Sequence, residues 1–147
     1  MSDRSAASAA PASSPDVPPH FQSFLAFDFG ARRTGVASGS RLLAAANPLP
    51  TIVADGRDQR LAKALEHIRE WQPQALVVGV PFHPDGASHD NTARARKFAR
   101  QLREASRLPV FEVDERYSTT EALAGGARDA DAAAACIILE QFLRSLK

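Results

Sequence analysis

Ala75 to Val80, ALVVGV, restricts the fold more than any other stretch, because none of its residues is polar and Pro81 closes it. A strand with one face in water alternates apolar with polar residues, whereas a strand covered on both faces reads as a continuous apolar run. The run therefore predicts a parallel strand under helices on both faces of its sheet. The rest of the chain has to supply those helices and the neighbouring strands.

The flanking segments have the required patterns. Upstream, Leu61, Leu65 and Ile68 recur at helical spacing between the start signal Asp55-Gly56-Arg57-Asp58 and the stop at Pro73, predicting a helix up to about Trp71, with Trp71 anchoring it on the sheet. Downstream, a helix is predicted from Asn91 or Thr92 to about Arg107. Ala95, Phe98, Leu102 and Ala105 form its apolar face, and Arg96, Arg100, Arg103 and Arg107 form a separate stripe. Pro109 opens a strand over Val110 to Val113, and DAAAACIILEQFLRSL, from Asp131, is a final helix. Nearer the N-terminus, Phe24 to Phe27 and Arg33 to Ser40 read as strands. Arg41 to Asn47 reads as a third, paired across a turn near Gly39-Ser40 and ended by Pro48 and Pro50. The order predicts an α/β fold with a mixed sheet of about five strands, a leading antiparallel ribbon followed by parallel strands, flanked by helices.

A chain of 147 residues fits one domain. Residues 1–21, rich in Ala, Ser and Pro, are expected to be a disordered arm outside the core, and residues 22–147 the folded domain. The arm lacks the apolar centre of a signal peptide, and no apolar stretch approaches the length of a membrane span. The single cysteine, Cys136, excludes an intrachain disulfide and a multi-cysteine zinc site; it reads as a buried thiol in a reducing, cytoplasmic setting. A net charge of +1 says little, but Arg94 to Arg107 sets Arg94, Arg96, Lys97, Arg100, Arg103 and Arg107 against Glu104 alone. That excess suits a polyanion, and equally a solvated helix face.

The chemistry is concentrated in acids at the ends of elements. Asp28 closes the first strand inside FLAFDFGARRTGVA; Asp114-Glu115 closes the last; Asp131 begins the final helix. Locally, Asp28 reads either as a turn acid paired with Arg32 or Arg33, or as part of a metal or phosphate site with Gly30 and Gly35 admitting a substrate backbone. Asp131 also reads as a helix cap, and Arg116 as a phosphate ligand or an ion-pair partner of Asp114 or Glu115. His83, Asp85, His89 and Asp90 lie in a polar loop without metal-ligand spacing and read as solvated residues of a substrate-facing loop. Parallel strands bring their carboxyl ends to one edge, where open sheets of this kind hold ligands. Carboxylates gathered there repel one another unless a hard cation, Mg²⁺ or Mn²⁺, binds between them. Two such ions would activate a water and stabilise the leaving oxygen in phosphodiester cleavage.

AFDFGARRTGVA, VVGVPFHPDG, NTARARKFA, DERYST and DAAAACIILE, in this order, resemble the successive motifs of the YqgF family, also called RuvX. The resemblance covers nearly everything from Phe24 to the C-terminus. It implies a ribonuclease H-like fold and a divalent-metal nuclease in the maturation of the pre-16S rRNA 5′ end, with structured RNA and ribosomal particles as partners. By motif position, Asp28, Asp131 and one of Asp114 and Glu115 are the catalytic acids. Glu115 is favoured as the ligand beside Asp28 and Asp131, because Phe111 and Val113 set one strand face. Arg32, Arg33, Arg96, Lys97, Arg100, Arg116, Ser118 and Thr119 would contact nucleic acid. The stretch from Thr120 to Ala130 is shorter than the family's usual segment, which keeps two other readings in view: a resolvase of Holliday junctions or branched DNA, and a binding module without catalysis. The likeness of DFGARRTG to the phosphate loop of actin-like ATPases fails on size, since those folds need a second, similar domain.

Overall fold

The computed structural model describes residues 17–80, 89–114 and 130–146. Strands β1 (Ser23–Asp28), β2 (Arg33–Ser40) and β3 (Ala45–Val53) are followed by helix α1 (Arg57–Trp71), strand β4 (Ala75–Val80), helix α2 (His89–Ser106), strand β5 (Val110–Asp114) and helix α3 (Ala130–Ser145). The five strands lie in the order β3-β2-β1-β4-β5. β1 runs antiparallel to β2 and β2 to β3, while β1, β4 and β5 are parallel. This is the expected mixed sheet.

β4 sits between two parallel neighbours and is buried along its whole length. Its alternate residues serve two cores. Leu76, Val78 and Val80 join Leu25, Phe27 and Val36 against Ala64 of α1 and Phe98 and Leu102 of α2. On the opposite face, Ala75 and Val77 join Phe24, Ala26 and Ala37 against Ile138, Leu139 and Phe142 of α3. Burying a large apolar side chain in this way is worth about 1.5–3 kcal/mol. α3 therefore covers one face of the sheet, and α1 with α2 the other.

The structure departs from the sequence expectations in several places. β3 begins at Ala45 and runs through both Pro48 and Pro50, which were expected to end the ribbon. β3 lies at the sheet edge, where a proline is tolerated when its missing N–H faces away from the neighbouring strand, and its register shifts between Thr34 and Val36, opposite the second proline. The chain reverses later than expected, over Ser40 to Ala44, with Ala44 in the left-handed region (φ 52°) and its amide donating to the Ser40 carbonyl at 2.8 Å. Trp71 is 46% exposed and does not anchor α1; the buried residues of that helix are Arg60 and Ala64. α2 starts at His89, before the expected Asn91, and Ala105 is exposed. Val17 and Phe21 lie on the arm side of the expected boundary at residue 22, yet they pack into the α3-side core, and the Arg41 guanidinium donates to the Pro18 carbonyl at 2.8 Å.

Candidate active site

The carboxyl ends of the three parallel strands meet at one edge: Asp28 is in register with Gly79, and Val80 with Asp114. Because alternate strand residues share a face, Asp28 follows Phe24 and Ala26 onto the α3 side. On the other side of β1, Asp28 is in register with Gly35 of β2. A Cβ at Gly35 would overlap the Asp131 carbonyl oxygen and stand 3.1 Å from the Ala132 nitrogen. The missing side chain is thus the seat of the first turn of α3. Through it, Asp131 comes to the strand position next to Asp28, although the two are far apart in sequence.

Arg33 reaches the same place from β2, its Nε donating to Asp131 Oδ2 at 2.6 Å, with both side chains partly exposed. Asp131 is also favoured there by the positive end of the α3 dipole. The β1–β2 turn that carries Asp28 into this corner is pinned from within. The Thr34 hydroxyl donates to the Gly30 carbonyl at 3.1 Å, and a Cβ at Gly30 would overlap the Arg33 carbonyl oxygen. Both glycines were read as openings for a substrate backbone. Instead, Gly35 admits the backbone of α3 and Gly30 a tight turn.

On β5 the alternation separates the expected acids. Phe111 and Val113 pack in the α3-side core, so Glu112 and Asp114 fall on the α2 side, where Glu112 Oε1 accepts from Arg96 Nε at 3.3 Å. Asp114 thus shares the edge with Asp28 but not its face. Glu115, Arg116, Ser118 and Thr119 lie outside the described residues, as do the loop residues His83 and Asp85. Among the described residues, no three His, Cys, Asp or Glu side chains are gathered closely enough to hold a metal ion. The donors brought together, Asp28 and Asp131, are oxygens only, a set suited to Mg²⁺ or Mn²⁺ rather than to zinc.

A family model described as RuvX: Holliday junction resolvase matches residues 22–145. The chain belongs to the RuvX family. Two relatives named "Putative pre-16S rRNA nuclease" are close in sequence. That of Polaromonas sp. (strain JS666) is 71% identical over 90% of this chain and 95% of its own length, and that of Albidiferax ferrireducens is 65% identical over 95% of this chain and 90% of its own length. Among solved structures, Thermus thermophilus RuvC in complex with a Holliday junction substrate matches with a TM-score of 0.59 at 17% identity, covering 84% of this chain and 94% of that one. A second Thermus thermophilus RuvC structure matches with a TM-score of 0.52 at 16% identity, covering 83% of this chain and 95% of that one. The RuvX chain thus has the ribonuclease H-like fold of RuvC.

The basic residues named from the RuvX motifs are dispersed. Arg33 holds Asp131, Arg96 holds Glu112, and Arg100 is exposed on α2. Arg32 stands 4.0 Å from Asp55 and, with Lys97, lines a cleft on the other face of the sheet. Nothing local to Gly35 or Arg33 signals their partnership with α3, since it joins positions 98 residues apart. Cys136 lies on α3, and its thiol is pushed up to about 11, first by burial and then by Glu140, so it is protonated at neutral pH and is no nucleophile.

Proposed function

We propose that the chain is a divalent-cation-dependent nuclease that hydrolyses phosphodiester bonds in RNA, at the 5′ end of the 16S rRNA precursor, and that ribosomal particles carrying this precursor in the cytoplasm are its partner. The observation that carries the reading is the seating of α3 on Gly35, which sets Asp131 beside Asp28 at the carboxyl edge of the parallel strands. The names borne by close relatives supply the substrate.

Asp28 and Asp131 would hold the cation together with Glu115, the acid of the β5 pair whose sequence parity matches Phe111 and Val113. When bound, the cation supplies an acidified water and neutralises charge on the leaving oxygen. The chain's own residues do the positioning. Asp28 is fixed by the β1 ladder and the Thr34-pinned turn, and Asp131 by the Gly35 seat. Arg33, already on Asp131, lies where it can donate to a phosphate oxygen and orient the scissile group. Arg116, Ser118 and Thr119 are proposed as further phosphate contacts, and Arg100 as a contact to the strand beyond.

The test is cleavage of a precursor 16S rRNA 5′ fragment and of a four-way DNA junction, by wild type and Asp28→Asn, with Mg²⁺, with Mn²⁺ and with chelator. RNA cleavage should require the cation and fall in Asp28→Asn by more than the roughly 10–100-fold that losing an outer-shell partner of a metal ligand costs. The family model's description favours one second reading, junction resolution, and preferential cutting of the junction would establish it instead. Binding of both substrates with no cutting of either would leave a binding module.

A further inference from the structure

On the face opposite Asp28 and Asp131, a cleft of about 350 Å³ opens between α1 and α2, bordered by the β1–β2 loop. Among the described residues, its lining carries Arg32, Arg57, Arg60, Arg94 and Lys97 against a single acid, Asp55. Arg60 is the unusual member, being only 8% exposed. Its guanidinium lies over the Phe29 ring, 4.9 Å from the centroid, and Nη2 donates to the Ala31 carbonyl at 2.6 Å. These contacts clamp the β1–β2 loop, but they leave Nε buried with no hydrogen-bond partner. Burial, and then repulsion from Arg94, hold this guanidinium below its ordinary pKa. Among the described residues, this buried cation keeps an unused donor and faces more basic than acidic side chains.

The first turn of α1 meets the same cleft through Arg57. Its N-cap, Gly56, offers no side chain to satisfy the leading amides and has open space where a Cβ would stand. Helix amides, a positive dipole end and forked guanidinium donors together make a phosphate site.

We propose that this cleft seats a backbone phosphate of single-stranded RNA, holding the strand on the far side of the β1–β2 loop from the acids. Arg32, which borders the cleft, and Arg33, on Asp131, are consecutive, so one loop would link the phosphate seat to the cleavage site. Only the identity of the polymer rests on the nuclease reading; the phosphate chemistry stands on the cleft.

The experiment measures affinity for a fluorescent single-stranded RNA by anisotropy, across a salt series, in chelator so that no cleavage is involved. It compares wild type with Arg94→Gln/Lys97→Gln, both exposed positions, and with Arg69→Gln/Arg144→Gln, an exposed pair of equal charge away from the cleft. The cleft pair should weaken binding about tenfold and lower the slope of log K against log salt by about 0.7, the value of one phosphate contact on a single strand. The control pair should leave the slope unchanged. Equal effects of the two pairs would overturn the proposal, because charge alone would then account for binding. A second arm titrates inorganic phosphate while NMR follows the Gly56 to Arg60 amides and the Arg60 Nε–H. Shifts there that the cleft pair abolishes support the seat. Such shifts with an unchanged RNA slope would reassign it to a free phosphate or mononucleotide and overturn the RNA proposal. The nuclease reading is judged separately by cleavage with metal, so the two can fail independently.

Discussion

Arg33 and Asp131 show how one contact can serve two chemistries. The pair is short but partly exposed, at 52% and 34% of the respective side chains, so it adds little to stability. Arg33→Gln is expected to change unfolding free energy by less than about 1 kcal/mol in urea titrations, the usual scale of an exposed pair. Its larger effect should be on cation binding, because the guanidinium competes for the oxygen that a cation would take. Calorimetry with Mn²⁺ should therefore show tighter binding to Arg33→Gln than to wild type. Weaker binding would mean that Arg33 holds Asp131 in the liganding position instead. Cys136 gives a pH-dependent expectation at the same scale. Its pKa is raised from 9.0 to about 11, so the folded state holds the thiol proton more tightly than the unfolded chain does. The resulting stabilisation is complete below about pH 9 and is lost as pH rises towards about 11. Denaturation midpoints of wild type should fall further between pH 8 and pH 10 than those of Cys136→Ala, and parallel declines would refute the assignment.

Among the elements, the docking of α3 on β2 is the most exposed to a single substitution. Gly35→Ala places a methyl group against the Asp131 carbonyl and the Ala132 nitrogen, both backbone atoms that cannot rotate away. The first turn of α3 must shift, at a cost of about 1–3 kcal/mol, the scale of overpacking. Thermal melting should drop, and cleavage should fall further than the stability loss explains, because Asp131 moves with the turn. Retention of full activity would show that the seat does not position the acid. The sequence made the strands and helices around this joint readable, since β1, β4 and α3 each have an apolar pattern matching their burial, whereas β2 buries Thr34 and Ser38 beside Val36 and Ala37. Patterns along the chain do not say which edge a strand occupies, and so Pro48 and Pro50 were read as terminators although β3 tolerates them at the edge. Helical spacing on α1 pointed to Leu61, Leu65 and Ile68, and Leu61 and Ile68 do pack part-buried against the core, but the most deeply buried residues are Ala64 and Arg60, which turns inward to Phe29 and Ala31. The acids at the ends of β1 and α3 were legible as isolated signals. Their meeting at Gly35, and the convergence of Arg57, Arg60 and Arg94 from two helices, are tertiary facts with no local signature.

For the whole molecule, the two faces of the sheet differ: Asp28 and Asp131 lie on the α3 side, the cleft on the α1–α2 side carries more basic than acidic residues among those described, and the β1–β2 loop lies between them. The acidic side carries a global expectation, because Asp28 and Asp131 bring carboxylates from opposite ends of the chain to one corner. In chelator, where no cation is bound, Asp28→Asn should melt within a few degrees of wild type. A cation held by Asp28 of β1 and Asp131 of α3 would stabilise only the folded chain, by about 2.7 kcal/mol when its free concentration is 100 times Kd. For a protein of this size that corresponds to a rise of about 5–10 °C. Wild type should therefore gain that much in saturating Mn²⁺ while Asp28→Asn gains little, so the two melting curves should separate in metal. Asp114→Asn is the companion variant, since Asp114 shares the edge but lies on the α2 face by strand alternation. It should keep most of the Mn²⁺ response. Loss of the response in Asp114→Asn to the same extent as in Asp28→Asn would move the second acid of the site from Glu115 to Asp114, and would mean that β5 twists its last residue across the sheet edge to reach the cation.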